Sequence, residues 1–205
     1  MRRAPIGALV ALCACATPTT TWRPATGAIR SSAGFSLRLP PGWMVLSRGP
    51  SSTNGFIAAS RDGPGLQCIA AGVTALGPEG SPALNALAAW QRLPLYGSGG
   101  SGSGRALFIV SSSLGGEASP PEVVAFSGVP VAGLPGFRAE MAFVDPRGMP
   151  VRALVLGAIS GDWVYWILYA APARHYYELD LPTFEDVATT FRVGPLPRPP
   201  TEPPP

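Results

Sequence analysis

The sequence predicts an α+β domain built around a mostly antiparallel sheet. Near the start of the chain, apolar and polar residues alternate, which is the period-two pattern of a half-buried strand. In the second half, three strand-like runs follow one another, and the last of them is apolar on both faces. Two segments with helical character, 82–93 and 181–193, supply helices that pack on the sheet.

The first predicted elements are extended. In "GFSLRLPPGW", Phe35, Leu37 and Leu39 occupy alternate positions, so this stretch is predicted to be a half-buried strand. The Pro-Pro-Gly that follows ends it. Two further apolar runs, 55–60 and 65–76, are separated by the turn sequence "RDGPG" and are predicted to form a hairpin.

A helix and a loop are predicted in the middle of the chain. Ser81 is suited to cap the helix and Pro82 to its first position, and the following "ALNALAAWQRL" is rich in helix formers. A Gly/Ser-rich stretch, 97–104, comes after it. Because this stretch lacks the Lys-Ser/Thr ending of a phosphate-binding loop and follows no clear strand, we interpret it as a flexible loop.

The second half predicts a meander that is followed by a helix. Runs 136–145, 151–160 and 162–171 are joined by the short turns "PRGMP" and "GD", and such a meander is antiparallel. The third run is apolar on both faces, so it belongs in the middle of a sheet with a layer on each side. The segment "LPTFEDVATTFRV" is predicted to be a helix that Asp180 or Thr183 caps. Its apolar side consists of Phe184, Val187, Ala188 and Phe191.

Both ends of this layout resemble the PsbP-like (DcrB-like) fold family. Members of that family open with a Phe-Ser-Leu strand that runs into Pro-x-x-Trp, and they close with an aromatic strand and an amphipathic helix. The resemblance implies an α/β/α sandwich with a central, mostly antiparallel sheet, and it implies accessory or assembly factors rather than enzymes. The matching residues are Phe35, Ser36, Leu37, Pro40 and Trp43 at the opening and Tyr169, Phe184, Val187 and Phe191 at the close.

The beginning of the chain resembles the leader of a bacterial lipoprotein. A positive start, "MRR", precedes an apolar run that is too short to span a bilayer and is typical of a secretory signal. The sequence "LCAC" (12–15) resembles a lipobox, which implies a signal peptide of residues 1–14 and lipid on Cys15. The alternatives are an ordinary secretory signal cut near Ala16 and a misassigned start codon. The absence of Asp after Cys15 is similar to lipoproteins of the outer membrane, which implies the inner leaflet of that membrane, facing the periplasm.

Composition divides the remaining chain into a tether, 15–33, a globular domain, 34–193, and a proline-rich tail, 194–205. Removing the two leader arginines leaves 13 arginines against 12 acidic residues, and they are spread singly along the chain. A basic footprint for nucleic acid is therefore missing, and we expect no nucleic-acid partner. With the leader cysteines removed or acylated, we expect Cys68 to form no disulfide and to pack as a small apolar side chain.

The sequence offers no recognisable catalytic or metal-binding constellation, and no cofactor is predicted. Its one histidine cannot form a zinc site without further ligands, the G-x-S-x-G elbow is absent, and no closely spaced acids suit calcium. The densest polar and aromatic cluster follows the last strand-like run, where we expect an exposed loop, 173–180, that recognises a protein. Its residues are His175, Tyr176, Tyr177 and Glu178.

We therefore expect a lipid-anchored, non-catalytic protein of the cell envelope that binds or helps assemble a protein partner. Its second contact is the membrane, through the lipid on Cys15. The alternative from another class is a small-ligand carrier or an enzyme with a pocket between sheet and helix, which predicts a concave site with converging polar groups. A third possibility is a passive spacer of the envelope.

Overall fold

The computed structural model describes residues 21–47, 57–62, 66–75, 122–145, 147–161 and 163–194. These residues form eleven strands and one helix: β1 (Thr21–Pro24), β2 (Ala28–Arg30), β3 (Phe35–Arg38), β4 (Met44–Ser47), β5 (Ile57–Ser60), β6 (Cys68–Ala75), β7 (Glu122–Gly128), β8 (Gly136–Val144), β9 (Pro150–Ser160), β10 (Trp163–Pro172), α1 (Tyr176–Thr189) and β11 (Arg192–Val193). Eight strands form a large sheet in the order β1-β4-β5-β6-β10-β9-β8-β7, and three form a small sheet in the order β11-β3-β2. Every strand pair within the described residues is antiparallel.

The last three strands of the large sheet form the predicted meander. β8 pairs with β9, and β9 pairs with β10, with strand ends that agree with the prediction to within one residue. β10 lies between β6 and β9 and is buried on both faces, as predicted. Tyr165 and Tyr169 lie on one face, Trp166 and Leu168 on the other, and each of these side chains is almost fully buried.

The opening strands confirm the predicted alternation. Phe35, Leu37, Leu39 and Trp43 are all buried. β5 and β6 form the predicted hairpin. β3, however, pairs with β2 and β11 in the small sheet. The small sheet and α1 together cover one face of the large sheet, where they share the first of two cores.

The large sheet buries a different core on each of its faces. The first core joins the sheet to α1 and to the small sheet, and its largest side chains are those of Trp43, Tyr165, Tyr169, Tyr177, Phe184 and Phe191. The second core lies on the opposite face and is built mainly by β8, β9 and β10. Its members are Ala70, Phe137, Ala139, Met141, Phe143, Val151, Ala153, Val155, Val164, Trp166 and Leu168.

A row of alternating glycine and aromatic residues crosses the sheet on the face of the second core. The strand register places Gly72 beside Trp166, Trp166 beside Gly157, and Gly157 beside Phe137. A Cβ on Gly72 would lie 2.6 Å from the ring of Trp166, and a Cβ on Gly157 would overlap the ring of Phe137. Glycine is therefore required at both positions because a neighbouring ring occupies the space of its side chain.

The folded domain begins earlier than the sequence predicts. The predicted tether, 15–33, includes β1 and β2, which pair with β4 and β3. Residues 21–24 and 28–30 of the predicted tether therefore belong to the two sheets. The sequence gives little sign of these strands because they are four and three residues long and lack buried alternating side chains.

The C-terminal helix also begins earlier than predicted. α1 starts at Tyr176, with His175 at its N-cap position, so the predicted caps, Asp180 and Thr183, are wrong. Asp180 lies inside the helix and is buried, where its carboxylate contacts Arg61 after β5. This contact joins residues 119 positions apart, so no local pattern indicates it.

The observed fold is a mostly antiparallel sheet with a C-terminal helix on one face. The α/β/α sandwich requires a second helical layer, and the described residues contain none. The helix predicted over 82–93 and the loop 97–104 lie outside the described residues. The same holds for the leader 1–14, for Cys15 and for the tail from residue 195.

Cys68, at the start of β6, is disulfide-bonded and half-buried against the second core. The expectation that it forms no disulfide is wrong for this chain, because that expectation assumed a chain whose leader had been processed. The two other cysteines of the sequence, Cys13 and Cys15, lie outside the described residues.

Candidate functional site

The predicted partner patch lies at the amino end of α1, where β10 leads into the helix. His175 has φ of 69° and ψ of −56°, and the Tyr176 N–H donates a hydrogen bond of 2.8 Å to the Arg174 carbonyl. This is the strained form of the γ-turn, which is rare for a residue with a side chain. The turn leaves the His175 side chain exposed, with its ring edge-on to that of Tyr176 at a centroid distance of 5.1 Å.

The two tyrosines of the patch have different surroundings. Tyr176 is half-buried and packs against the first core. Tyr177 is fully buried, its ring stacks on Tyr169 at 5.5 Å, and the guanidinium of Arg152 lies 4.2 Å from its ring centre. Tyr177 is therefore a core residue, and a partner cannot touch it while the first turn of α1 is folded.

Glu178 and Leu179 are the exposed residues of the first helical turn. The carboxylate of Glu178 accepts a hydrogen bond of 2.6 Å from Nη1 of Arg152, and its side chain remains 66% exposed. Leu179 is 52% exposed, which is unusual for so large an apolar side chain on a helix that packs on a core. Together with His175 they form a surface that we call the first-turn surface: His175, Glu178 and Leu179.

Two arginines of the sheet hold two acidic residues of α1 in a ladder of ion pairs. The ladder runs from β8 across β9 to the helix, and its links are Arg138–Glu140 at 2.8 Å, Arg138–Glu185 at 3.5 Å, Arg152–Glu140 at 3.3 Å and Arg152–Glu178 at 2.6 Å. All five side chains are partly exposed, so each pair stabilises the fold by less than about 1 kcal/mol. The ladder links α1 to β8 and β9 of the sheet.

Another arginine, Arg61, contacts the buried side of α1 near its amino end. Nη1 of Arg61 donates to Oδ1 of Asp180 at 2.6 Å, and the Asp180 side chain is 1% exposed. Arg61 also binds Asp62, and this hydrogen bond holds the pKa of Asp62 below its usual value. Oδ2 of Asp180 is buried and has no hydrogen-bond partner among the described residues. A buried carboxylate needs a cation of this kind, so the pair ties the β5–β6 hairpin to α1.

The two buried phenols of the site stay protonated at neutral pH. Burial raises the pKa of Tyr177 to about 12, and the nearby carboxylate of Glu140 adds to this effect. Burial also raises the pKa of Tyr169, and the carboxylate of Asp180 adds to it. The Tyr169 hydroxyl donates to the Tyr176 carbonyl at 2.8 Å. A general base or activated nucleophile needs a pKa near the operating pH, so neither phenol is suited to that task.

Aromatic rings fill the space between α1 and the sheet. Tyr169 stacks on Tyr177 at 5.5 Å and on Phe184 at 5.6 Å, and all three rings are fully buried. These rings pack α1 directly on the sheet. Within the described ranges, no three His, Cys, Asp or Glu side chains come together to hold a metal ion.

The sequence pattern identified part of this site and missed the rest. His175 and Glu178 are exposed where a partner patch was expected, whereas Arg152 and Arg61 were not singled out, because each lies far along the chain from its partner on α1. Leu179 was detectable, since it falls off the apolar side of the helix that Phe184 defines.

No protein-family model and no curated protein matches this chain. The solved structures that resemble it include the following three. A PsbP protein from the cyanobacterium Synechocystis has a TM-score of 0.47 and 10% identity, covering 87% of this chain and 94% of that protein. LpqN of Mycobacterium tuberculosis is described as involved in cell envelope biogenesis. It has a TM-score of 0.48 and 12% identity, and the match covers 86% of this chain and 92% of LpqN. A protein from Bacteroides thetaiotaomicron has a TM-score of 0.46 and 13% identity over 82% of this chain.

This chain spans about half the length of the Bacteroides protein, 49%. All three TM-scores lie below 0.5, so these likenesses establish neither a family nor a function for this chain. Membership of the PsbP-like family, which the sequence motifs suggest, stays a prediction. In the part of the chain that the structure describes, no helix has the length and apolarity needed to cross a membrane.

Proposed function

We propose that this chain is a lipid-anchored, non-catalytic protein of the bacterial cell envelope, with a PsbP-like domain that binds or helps assemble a protein partner. The first-turn surface is the observation that most supports partner binding. It sets an exposed leucine beside an imidazole and a carboxylate, on a helical turn that carries an ion pair and follows a γ-turn. A surface that is ordered in advance loses little conformational entropy when a partner binds.

A lipid on Cys15 would hold the domain close to the membrane. Thr21, the first residue of β1, follows Cys15 by six positions. Because an extended chain spans at most about 3.6 Å per residue, the domain would begin within about 20 Å of the lipid headgroups. We place it at the inner leaflet of the outer membrane, facing the periplasm.

The disulfide at Cys68 offers a direct test of this anchor. Cleavage after Ala14 removes Cys13, and acylation consumes the thiol of Cys15, so an intrachain disulfide at Cys68 and a lipid on Cys15 exclude each other in a mature chain. The measurement is the intact mass of the native protein before and after reduction and alkylation. We expect a chain that starts at Cys15 and carries fatty acids; an unacylated chain that gains alkyl groups after reduction would reject the anchor.

A matched pair of variants tests the location. Cys15→Ser is expected to move the protein out of the membrane fraction, whereas Cys13→Ser leaves it there, because the proposed cleavage discards Cys13. If the Cys15→Ser protein stays with the membrane, the lipid is not the anchor.

Crosslinking tests the partner surface. A photo-reactive amino acid in place of Leu179 is expected to form an adduct with one protein species in intact cells. The same replacement at Val144, which is 45% exposed at the end of β8, serves as the control and is expected to form none. Equal adducts at both positions, or none at Leu179 in a protein that melts normally, would reject the surface.

A further inference from the structure

The outward face of α1 is acidic along its length. Glu178, Glu185 and Asp186 are exposed on it, and the helix contains no arginine or lysine. Four of the 12 acidic residues of the chain lie within these 14 residues, although the whole chain has a formal net charge of +3. α1 is therefore a local concentration of negative charge on a chain that is otherwise slightly basic.

The arginines beneath the helix do not cancel this charge. The ladder and its neighbour Asp186 contain four carboxylates, and Arg138 and Arg152 supply two guanidinium groups. Both arginines lie on strands of the sheet and reach the helix from its packed side. The side chains of Glu178 and Glu185 remain 66% and 56% exposed, so a cation in solution can still approach them.

Apolar area lies within the same acidic face. Leu179 is 52% exposed, and the next exposed residue three positions along the helix is Pro182. Residues spaced by three or four positions are neighbours on a helix surface, so exposed side chains follow one another from the N-cap through the third turn. We call this set the α1 surface: His175, Glu178, Leu179, Pro182, Glu185 and Asp186.

We propose that the α1 surface binds a protein segment that carries arginine or lysine side chains around an apolar residue. The proposal rests on the proposed function and adds the chemistry of the partner to it. The negative potential of the helix attracts cationic side chains and steers their approach, while an apolar residue of the partner covers Leu179. Anionic lipid headgroups are repelled by the same charge, so a lipid surface is not the expected occupant.

Fluorescence anisotropy of defined peptides on the full-length protein tests this partner chemistry. The probe is a short synthetic peptide of alternating Arg and Leu, and the matched probe has every Arg replaced by Glu. The basic peptide is expected to bind and the acidic one to bind at least about tenfold more weakly. Binding should also weaken by at least about tenfold in about 1 M salt, where the Debye length is about 3 Å.

Substitutions on and off the surface locate the binding. Asp186→Arg and Leu179→Ser are each expected to weaken binding of the basic peptide by about tenfold, a loss of about 1.4 kcal/mol. The matched controls are Glu122→Arg on β7 and Val144→Ser on β8, which change an exposed acid and an exposed valine elsewhere. Neither control is expected to alter binding, and thermal melts confirm that all four variants are folded.

Several results would overturn the proposal. These are equal binding of the acidic peptide, equal losses in the control variants, binding to phosphatidylglycerol vesicles, and self-association through the same residues in sedimentation. If the peptides fail to bind while crosslinking at Leu179 still yields one protein species, the proposed function survives and the basic chemistry of the partner is overturned.

Discussion

The two faces of the large sheet are built by different means. The second core consists of apolar side chains whose fit depends on shape, and its row of glycines and rings leaves no space for a further methyl group. The face under α1 combines apolar packing with an ion-pair ladder, a buried carboxylate and three buried phenols. The second core therefore holds strands of the sheet to one another, whereas the face under α1 positions a single helix and its exposed residues.

The largest effect is expected from truncating the aromatic stack under α1. Tyr177→Ala should lower the free energy of unfolding by about 4 kcal/mol, because it empties the space of a fully buried ring. Tyr177→Phe should change it by less than about 0.5 kcal/mol, since the buried hydroxyl has no partner among the described residues. Urea unfolding measures both. Similar losses in the two variants would show that the hydroxyl, and not the ring, stabilises this face.

The second core is probed by adding one methyl group. Gly157→Ala should lower the free energy of unfolding by about 3 kcal/mol, because the new Cβ overlaps the buried ring of Phe137. Gly128→Ala is the matched control, since a Cβ there meets nothing within 4 Å, and it should change stability by less than about 0.5 kcal/mol. If Gly157→Ala is tolerated as well as Gly128→Ala, shape does not govern this face.

Removing the cation of the buried ion pair should have a smaller effect. Arg61→Met leaves the carboxylate of Asp180 buried without its partner, and we expect a loss of about 2 kcal/mol, below the usual range for buried pairs because Arg61 is 34% exposed. Arg138→Met, in the exposed ladder, should lose less than about 1 kcal/mol. Denaturant midpoints of the two variants show which loss of stability is larger. An equal loss would mean that the buried pair and the ladder contribute alike.

The smallest effect concerns acid stability at the β8–β9 turn, away from both cores. Burial alone would raise the pKa of Asp145, but hydrogen bonds from the Met149 and Arg147 N–H groups and the Arg147 guanidinium outweigh it and lower the pKa. The stabilisation is therefore present above about pH 4, the unfolded value, and is lost as the pH falls through the lower folded value.

The variant Asp145→Asn should accordingly lose about 1 kcal/mol at pH 7 and show a flatter decline of stability below about pH 4. Thermal melts from pH 2 to pH 7 measure this, with Glu122→Gln on exposed β7 as the control. An unchanged acid slope in Asp145→Asn would assign the pH dependence to other carboxylates.

Sequence patterns predicted the parts of the fold whose signals are local. The alternation of Phe35, Leu37 and Leu39 and the double-sided burial of β10 both follow from side-chain periodicity, and both are observed. Asp180 was interpreted as a helix cap because its type and position fit one, yet its true partner is Arg61, 119 residues away. Such long-range pairs leave no trace in the local sequence.

The sequence predicted the candidate site in part, as it did the fold. His175 and Glu178 were identified from composition, because polar and aromatic residues cluster there. Tyr177 was predicted to belong to the same exposed patch, but in α1 its side chain points toward the sheet and stacks on Tyr169. The difference between an exposed and a buried tyrosine depended on where α1 begins, and that start is set by a γ-turn at a residue that seldom adopts one.

The pairing of β1 with β4 has a practical consequence for anyone who expresses this domain in a shortened form. A protein that starts at residue 34, where composition changes, would lack both early strands and leave the backbone groups of β4 open to a second molecule. Uncovered strands of this kind recruit other chains and precipitate. A start ahead of Thr21 avoids that outcome.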